Sequence, residues 1–500
     1  MASREREGEP LSPTGKLFHE PSLNCYVIAI MGCKTSINPQ VIREGLCQTL
    51  LKHPRFTSKL VKKGRKTKWI PTKVDLDNHI IVPEIDSNLE YPDRFVEDYV
   101  SHFTKTPLDQ SKPLWELHLL NIKTSDAEAV SVFRIHHSIG DGASLISLLL
   151  AATRKTSDPN ALPTVPIQKK DTSSHQRSSP FRWLFVIWWA LLLIWHTFVD
   201  MLLFTFTIFF IKDTPTPLKA GALGVELHNK RIVHRTVSMD DIKLVKNEMK
   251  TTINDVLLGV TQAALTRYLN RAYEYELSVV FVNALLLDLK ADVGANSNGV
   301  KQRSSVLKKI RLRASILVNI RPVGGIQELA DMMAEKSKVK WGNCMGYIIL
   351  PFSIVLYKDP LEYVRHAKAT IDRKKHSLEA ICSYACAKLV AAAITRRVLF
   401  NTTVAFSNVP GPVEEISFYG HPVAYIAPSV YGHPLALTIH FQSYANNITI
   451  SLAVDPLVIP DPYLLCDDLE QSLKLIRDAI QKKHTVDAMR NGCYEERPKA

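Results

Sequence analysis

None of the eight cysteines in this 500-residue chain stands in a Cys-x-x-Cys pair. Cys25, Cys33, Cys47, Cys344, Cys382, Cys386, Cys466 and Cys493 are scattered, so no metal site or disulfide framework is expected, only reduced structural thiols. Zinc-finger spacing, RNP-like segments and long Lys/Arg tracts are also missing, which argues against nucleic acid as a partner. The formal charge of +13 then points to an anionic membrane surface or a phosphate-bearing ligand. The leader has no apolar core, so no signal peptide is expected, and the folded parts should face the cytosol. No internal repeat period is evident. With 46% hydrophobic and 22% charged residues, wholesale disorder is excluded. The length exceeds what one core serves, so two domains are expected.

What the chain does have in excess is one apolar run, Trp183 to Ile211. As a helix it would be about 43 Å long, more than a bilayer needs. Four tryptophans cluster towards its first half, as in an interfacial anchor. His196 and Asp200 are its only ionisable residues and would be costly facing lipid. A polar, proline-bearing stretch from Asp158 to Pro180 precedes it as a linker. A single crossing would put the two halves of the chain on opposite sides of a membrane. If both halves build one site, the segment must lie in the interface or dip in and return.

The chemistry concentrates at Ser131-Val-Phe-Arg-Ile-His136-His137-Ser-Ile-Gly-Asp141-Gly142, which reads as a strand, a tight turn and the start of an apolar helix. Alternation puts His136 and His137 on opposite strand faces, so they are not expected to share one role. Asp141 is suited to brace the turn or a cation, and Gly142 to a backbone geometry that a Cβ would obstruct. A neutral imidazole at a strand end can take a proton from a hydroxyl near pH 7. A buried pair of core histidines is the plainer alternative; the cluster as a whole favours catalysis.

Strands are expected at Asn24–Met31, around Trp69 and Ile70, at His79–Val82, at Pro113–Leu119 and at Val233–Met239. Further strands are expected at Ala314–Arg321, Leu435–Gln442 and Ile448–Val454. Helices are expected from Pro39, over Asp93–Thr104, after Ser238, from Thr252 with Asn254 or Asp255 as cap, and from Asp359 to about Leu399. A terminal helix should bury Leu465, Leu469, Leu473, Ile476 and Ile480. The apolar run Leu277 to Leu289 is too short to span a membrane. Six basic residues follow it (Lys301, Arg303, Lys308, Lys309, Arg311 and Arg313), either as a solvated face or as an attractor of phosphates.

His136-His137-Ser-Ile-Gly-Asp141-Gly142 matches the His-His-x-x-x-Asp-Gly signature of the CoA-dependent acyltransferase superfamily. Other segments resemble plant-type bifunctional wax ester synthase/diacylglycerol acyltransferases. They are Glu9-Pro-Leu-Ser-Pro13, Leu17-Phe-His-Glu-Pro21, His53-Pro-Arg-Phe56, Pro113-Leu-Trp115-Glu116 and Asn254-Asp255-Val256. Val318-Asn319-Ile-Arg321-Pro322, Gly342-Asn343 and Ser407-Asn408-Val-Pro-Gly-Pro412 complete the series in order, so the likeness runs from about Pro10 to about Lys483.

The resemblance implies an α/β fold of two similar lobes, each a mixed sheet flanked by helices, with the apolar membrane-associating helix between them. It divides the chain into a first lobe at 1–180, a membrane segment at 181–212 and a second lobe at 213–500. It also implies transfer of a fatty acyl group from acyl-CoA, as co-substrate, to a long-chain fatty alcohol or to diacylglycerol. His137 would be the proton acceptor, with His136, Asp141, Gly142 and Asn254 beside it, Asn254 as a candidate oxyanion donor. Arg321, Asn319, Ser407 and Asn408 would serve substrate binding, Arg321 as a cation partner. No metal, cofactor or acyl-enzyme is expected. The endoplasmic reticulum membrane is the expected address, with the plasma membrane as a second. Residues 277–304 depart from the family pattern and read as an insertion. Two alternatives stay open: the same fold acting on another hydroxyl acceptor, or a catalytically dead, membrane-tethered binding protein. The Asp-Phe-Gly-Trp-Gly motif of the soluble plant acyltransferases is absent.

Overall fold

A computed structural model describes residues 8–64, 66–86, 88–166, 182–219, 224–286, 307–321, 341–389 and 392–495. Two mixed sheets organise it. The first has seven strands in the spatial order Ile80–Ile81, Trp115–Leu120, Ala129–His136, Tyr26–Cys33, His421–Tyr431, Ile416–Phe418 and Thr153–Lys155. The second has six, in the order Met345–Phe352, Leu312–Asn319, Val404–Val409, Leu437–Tyr444, Asn447–Val454 and Arg231–Ser238. Each sheet has its own large buried cluster, with helices packed against it. The expected two lobes of mixed sheet and helix are present.

The lobes are not consecutive stretches of chain. His421–Tyr431 leaves the second lobe and pairs antiparallel with Tyr26–Cys33, from Tyr431 opposite Tyr26 to Val423 opposite Cys33. Sequence reading missed this strand because Pro422 and Pro428 demote it. Pro428 is accommodated because the strand's other side has no partner there among the described residues; Pro422 stands at the strand's start, opposite Ser417 in a two-residue pairing. The strand returns through His433 to Leu437–Tyr444, so the first sheet is locked to the second by covalent chain as well as packing.

Most expected elements stand within two or three residues of their predicted bounds. The terminal helix begins at Pro462 and buries all five residues of its stripe. One cap is different. The helix Ile253–Leu286 is capped by Thr252, not by Asn254 or Asp255. Thr252 Oγ1 accepts from Asp255 N at 3.3 Å, and Asp255 Oδ2 accepts from Thr252 N at 2.8 Å. This is a reciprocal capping box, with the carboxylate at the third helical position. The run from Leu277 continues this same helix to Leu286; residues 287–306, the rest of the suspected insertion and two of the six basic residues, lie outside the described residues.

The apolar run forms the helix Arg182–Phe209. Along one flank it is fastened to the second lobe. Thr197 Oγ1 accepts from Leu378 N at 2.9 Å, and Asp200 Oδ1 receives Lys374 Nζ at 2.9 Å and Arg373 Nη2 at 2.7 Å. Phe204 and Ile208 are buried with Tyr347 and Val398. Beyond the helix, Asp213 pairs with Arg313 at 2.6 Å, and Arg313 Nη1 donates to Thr207 Oγ1 at 2.5 Å. Arg313 therefore is a buried anchor rather than part of a solvated basic face. From Trp183 to Leu191 every position is exposed, and in the second half of the helix Trp195, Phe198, Leu202 and Phe206 stay exposed on the side away from the lobe.

Candidate active site

Strand Ala129–His136 runs up the middle of the first sheet between Trp115–Leu120 and Tyr26–Cys33. His136 ends it, opposite Tyr26. The chain then turns, and Asp141 caps the helix Gly142–Ala152 through Oδ1, which accepts from Ser144 N at 3.0 Å. Helix capping fixes where the strand must stop, and the strand end places the two histidines in the interior.

The two rings have different surroundings. Ser138 N donates to Nδ1 of His136 at 3.2 Å, so this nitrogen is unprotonated, and Nε2–H donates to Asn24 Oδ1 at 3.0 Å. Both nitrogens of His136 are thus engaged by the protein. His137 is held by its backbone instead: its N–H donates to Cys25 O at 2.9 Å, and its carbonyl accepts from Asn343 Nδ2 at 2.9 Å. Its ring is buried, and Nδ1 has no hydrogen-bond partner. Burial pushes the His137 imidazole below its ordinary value; its own backbone, the Asp141 carboxylate and Asn343 oppose this in part. The ring is neutral at pH 7 and keeps a lone pair for a proton.

Sequence reasoning gave no role to the segment that covers this pair. Ser12 caps a short helix, Pro13–Leu17, accepting from Gly15 N at 3.0 Å, with Pro13 in the first turn. The helix delivers Phe18 and His19 onto the motif. Phe18 stacks on His137 with ring centroids 4.3 Å apart, and His19 stacks on His136 at 4.1 Å. The signal was the segment Leu17-Phe-His-Glu-Pro21 itself, which the resemblance had singled out without saying what it does.

Residues 341–344 clasp the same turn from the second lobe. Trp341 Nε1 donates to Ile139 O at 3.1 Å, Ser144 Oγ donates to Gly342 O at 3.1 Å, and Cys344 N donates to Asp141 Oδ2 at 2.9 Å. Gly342 has φ of +110°, a conformation that favours glycine. At Gly140 a Cβ would press on Ser144 Cβ at a tight 3.1 Å and stand at an ordinary 3.5 Å from the Trp341 indole. Gly142 is not obstructed in this way: a Cβ there would meet only Val409 Cγ2, at an ordinary 3.6 Å.

Asp141 and Arg321 form an ion pair, Oδ2 to Nη1 at 2.9 Å, with a second contact from Nη2 to Oδ1 at 3.1 Å. Asn319 Oδ1 accepts from Arg321 N at 3.1 Å and from Nη1 at 3.0 Å. Arg321 Nη2 also donates to Gly342 O. The structure gives Asp141, Asn319 and Arg321 to one bracket across the lobes, so the guanidinium meets partners inside the protein. A second group forms alongside. Asn408 Nδ2 donates to Asn254 Oδ1 at 2.6 Å, at the exposed first turn of the helix Ile253–Leu286. Ser407 precedes Asn408 in the strand Val404–Val409, and Val409 faces Gly142. In the same segment, Gly411 lies so close to Ser443 O and Gln442 Nε2 that no Cβ fits. Among the described residues no three His, Cys, Asp or Glu side chains gather as metal ligands would.

The sequence matches the profile of the wax ester synthase/diacylglycerol acyltransferase catalytic domain over residues 19–257 and that of the WS/DGAT C-terminal domain over 341–477. It is 52% identical to wax ester synthase/diacylglycerol acyltransferase 11 of Arabidopsis thaliana over 490 residues, 95% of this chain and 96% of that one. It is 51% identical to wax ester synthase/diacylglycerol acyltransferase 5 of the same plant, over 96% of this chain and 95% of that one. Among solved structures, the fold is similar to the wax ester synthase/diacylglycerol acyltransferase from Marinobacter aquaeolei VT8, with TM-score 0.58 and 17% identity. That match covers 94% of this chain and 100% of the other.

Proposed function

The chain belongs to the wax ester synthase/diacylglycerol acyltransferase family, and from that premise we propose that His137 is the base of its acyl transfer. The enzyme moves a fatty acyl group from acyl-CoA to a long-chain alcohol, making wax ester, and to diacylglycerol, making triacylglycerol. The observation that carries the assignment is the contrast between the neighbours: both nitrogens of His136 are hydrogen-bonded by the protein, whereas Nδ1 of the buried His137 ring has no partner. His137 takes the proton as the acceptor oxygen attacks the thioester carbonyl. The tetrahedral intermediate collapses, the C–S bond breaks, and the CoA thiolate takes that proton back from the imidazolium. The proton balance closes between acceptor, His137 and thiolate, so direct transfer needs neither a metal nor an acyl-enzyme. Asp141, Asn319 and Arg321 hold the turn that carries the base. The test is ester formation by wild type and His137→Ala in a host lacking neutral-lipid synthesis. Wild type is expected to accumulate ester and His137→Ala to lose it at equal protein level; undiminished synthesis by the variant sinks the assignment.

We infer further that the helix Arg182–Phe209 lies along a membrane surface instead of crossing it, which keeps both lobes on the cytosolic side of the endoplasmic reticulum. Support comes from the second half of the helix, whose two flanks are unlike. Attachments to the second lobe recur from Thr197 to Thr207 and continue at Asp213, while the opposite flank exposes aromatic and aliphatic side chains. A helix held to the protein along its second half can embed its free surface in one leaflet, where Trp is at home. Both substrates with long chains would then arrive from that leaflet. Epitope tags at the two ends of the chain should be digested together in sealed microsomes; protection of one tag alone would mean a crossing.

A further inference from the structure

Strand Leu437-Thr-Ile-His-Phe-Gln-Ser-Tyr444 alternates strictly between apolar and polar residues through Gln442. Leu437, Ile439 and Phe441 enter the core of the second lobe, so Thr438, His440 and Gln442 take the other face. Tyr444, on that same face, and the nearby Ala453 and Ile232 pack into the core of the first lobe. The polar face therefore lies in the seam between the lobes. His440 is at its centre, paired across the sheet with Ser407 on one side and Ser451 on the other.

The seam is polar and incompletely bonded. Nδ1 of His440, Oε1 of Gln442 and Oγ of Ser451 are buried without a partner, and so are Oγ of Ser429 in the first sheet and Nδ1 of His137. Native interiors pair nearly all such atoms. A group of them in the seam, with His440 near enough to His137 for the two rings to interact, marks a place built for a polar guest. His440 is 7% exposed. Burial lowers its pKa, and the nearby His137 lowers it further, to about 4. It is neutral at pH 7, with one ring N–H to give. A neutral donor suits this place, because a cation beside His137 would oppose its taking a proton.

We propose that His440 is the second imidazole of the reaction centre: its ring N–H hydrogen-bonds the thioester carbonyl oxygen as that oxygen becomes the tetrahedral oxyanion. The proposal rests on the reading of His137 as the base. His440 donates a hydrogen bond and transfers no proton, so the balance given above is unchanged. Asn254, the donor suggested by its motif, lies exposed with its amide oxygen engaged by Asn408, while His440 lies buried beside the base.

The experiment compares the full-length enzyme in microsomes as wild type, His440→Leu, His440→Gln and His137→Ala, with palmitoyl-CoA and hexadecanol. Leu fills a similar volume without a donor; Gln restores an N–H. Loss of an oxyanion donor should lower kcat about 100-fold or more in His440→Leu, with KM for palmitoyl-CoA little changed, and His440→Gln should recover a substantial part. If His440→Leu keeps kcat within a few fold, raises KM alone, or does no worse than His440→Gln, the proposal is overturned. Should His440→Leu fail to accumulate, His440→Asn and His440→Gln carry the comparison: two variants that accumulate and are both as inactive as His137→Ala overturn it. An active His137→Ala beside an inactive His440→Leu would overturn the base assignment and leave the donor standing; the reverse pattern overturns the donor alone.

Discussion

Arg321 and Asp141 meet across the two lobes through both arms of the guanidinium, with their side chains only 3% and 4% exposed. Asp141 belongs to the turn after the histidines and Arg321 to the end of a strand in the other sheet. One carboxylate therefore caps a helix, binds Cys344 N and neutralises a buried cation. Arg321→Met should leave that carboxylate buried and unpaired, costing about 3–5 kcal/mol of stability. Arg321→Lys should rescue only part, since a point charge cannot serve both oxygens in the plane of the fork. Thermal unfolding of the detergent-solubilised variants checks both; a melting temperature unchanged in Arg321→Met would refute the bracket.

The histidine pair should separate in the opposite sense by stability and rate. His136→Ala leaves Asn24 Oδ1 and Ser138 N without their ring partners, a loss of about 1–3 kcal/mol, while a measurable rate survives in protein that still folds. His137→Ala should lower kcat by roughly 10²–10⁴-fold with a far smaller change in melting temperature. Rates normalised to folded enzyme and melting curves on the same preparations decide it.

Other buried histidines predict how the enzyme responds to acid. His19, His53 and His440 are lowered to about 4 and His433 to about 3, burial being the largest cause in each. In the unfolded chain these rings take up protons near pH 6.5; in the fold they resist until about pH 4. The unfolded state binds more protons between those limits, so stability is full above pH 6.5 and falls as pH drops towards 4. Because the His137 imidazole is also lowered, kcat/KM should be flat between pH 7 and 8, with its acid limb below 6.5. Unfolding and rate measured across pH 4–8 would expose an error in either: an acid limb well above 6.5 contradicts a buried neutral base.

Much of this was legible beforehand because it is local. Alternation and turn residues marked the histidine strand, the turn and Asp141 as its brace, and the 3.6-residue stripe marked the last helix. The long strand His421–Tyr431 was hidden by its two prolines; that Pro422 falls at the strand's start and Pro428 beside an unpaired edge is set by the sheet, which local pattern cannot supply. Phe18 on His137 and Asn343 on the His137 carbonyl join positions more than a hundred residues apart, so their motifs could be noticed without their purpose being read. Gly142 drew attention, yet the tighter site is Gly140, where a Cβ would press on Ser144 in the first turn of the following helix. His440 looked like one more polar strand residue, and only the meeting of the sheets puts it beside His137.

Asp200 turns the apolar helix from a free span into a docked one, and that dependence can be measured. Its carboxylate is buried and receives Lys374 and Arg373, while Lys374 also pairs with Glu379 at 2.5 Å. Lys374→Met would leave two buried carboxylates facing each other with only the half-exposed Arg373 nearby, a loss of about 3–5 kcal/mol. Asp200→Asn keeps an acceptor for Lys374 and removes the charge, so its effect should be smaller. Neither change touches the exposed flank, so both variants should still sediment with membranes. The helix would instead be released from the second lobe, and protease cleavage in the linker between Asp158 and Pro180 or near Asp213 should become faster in Lys374→Met than in wild type. Cleavage at the wild-type rate, with an unchanged melting temperature, would show that the ion cluster does not hold the helix to the lobe.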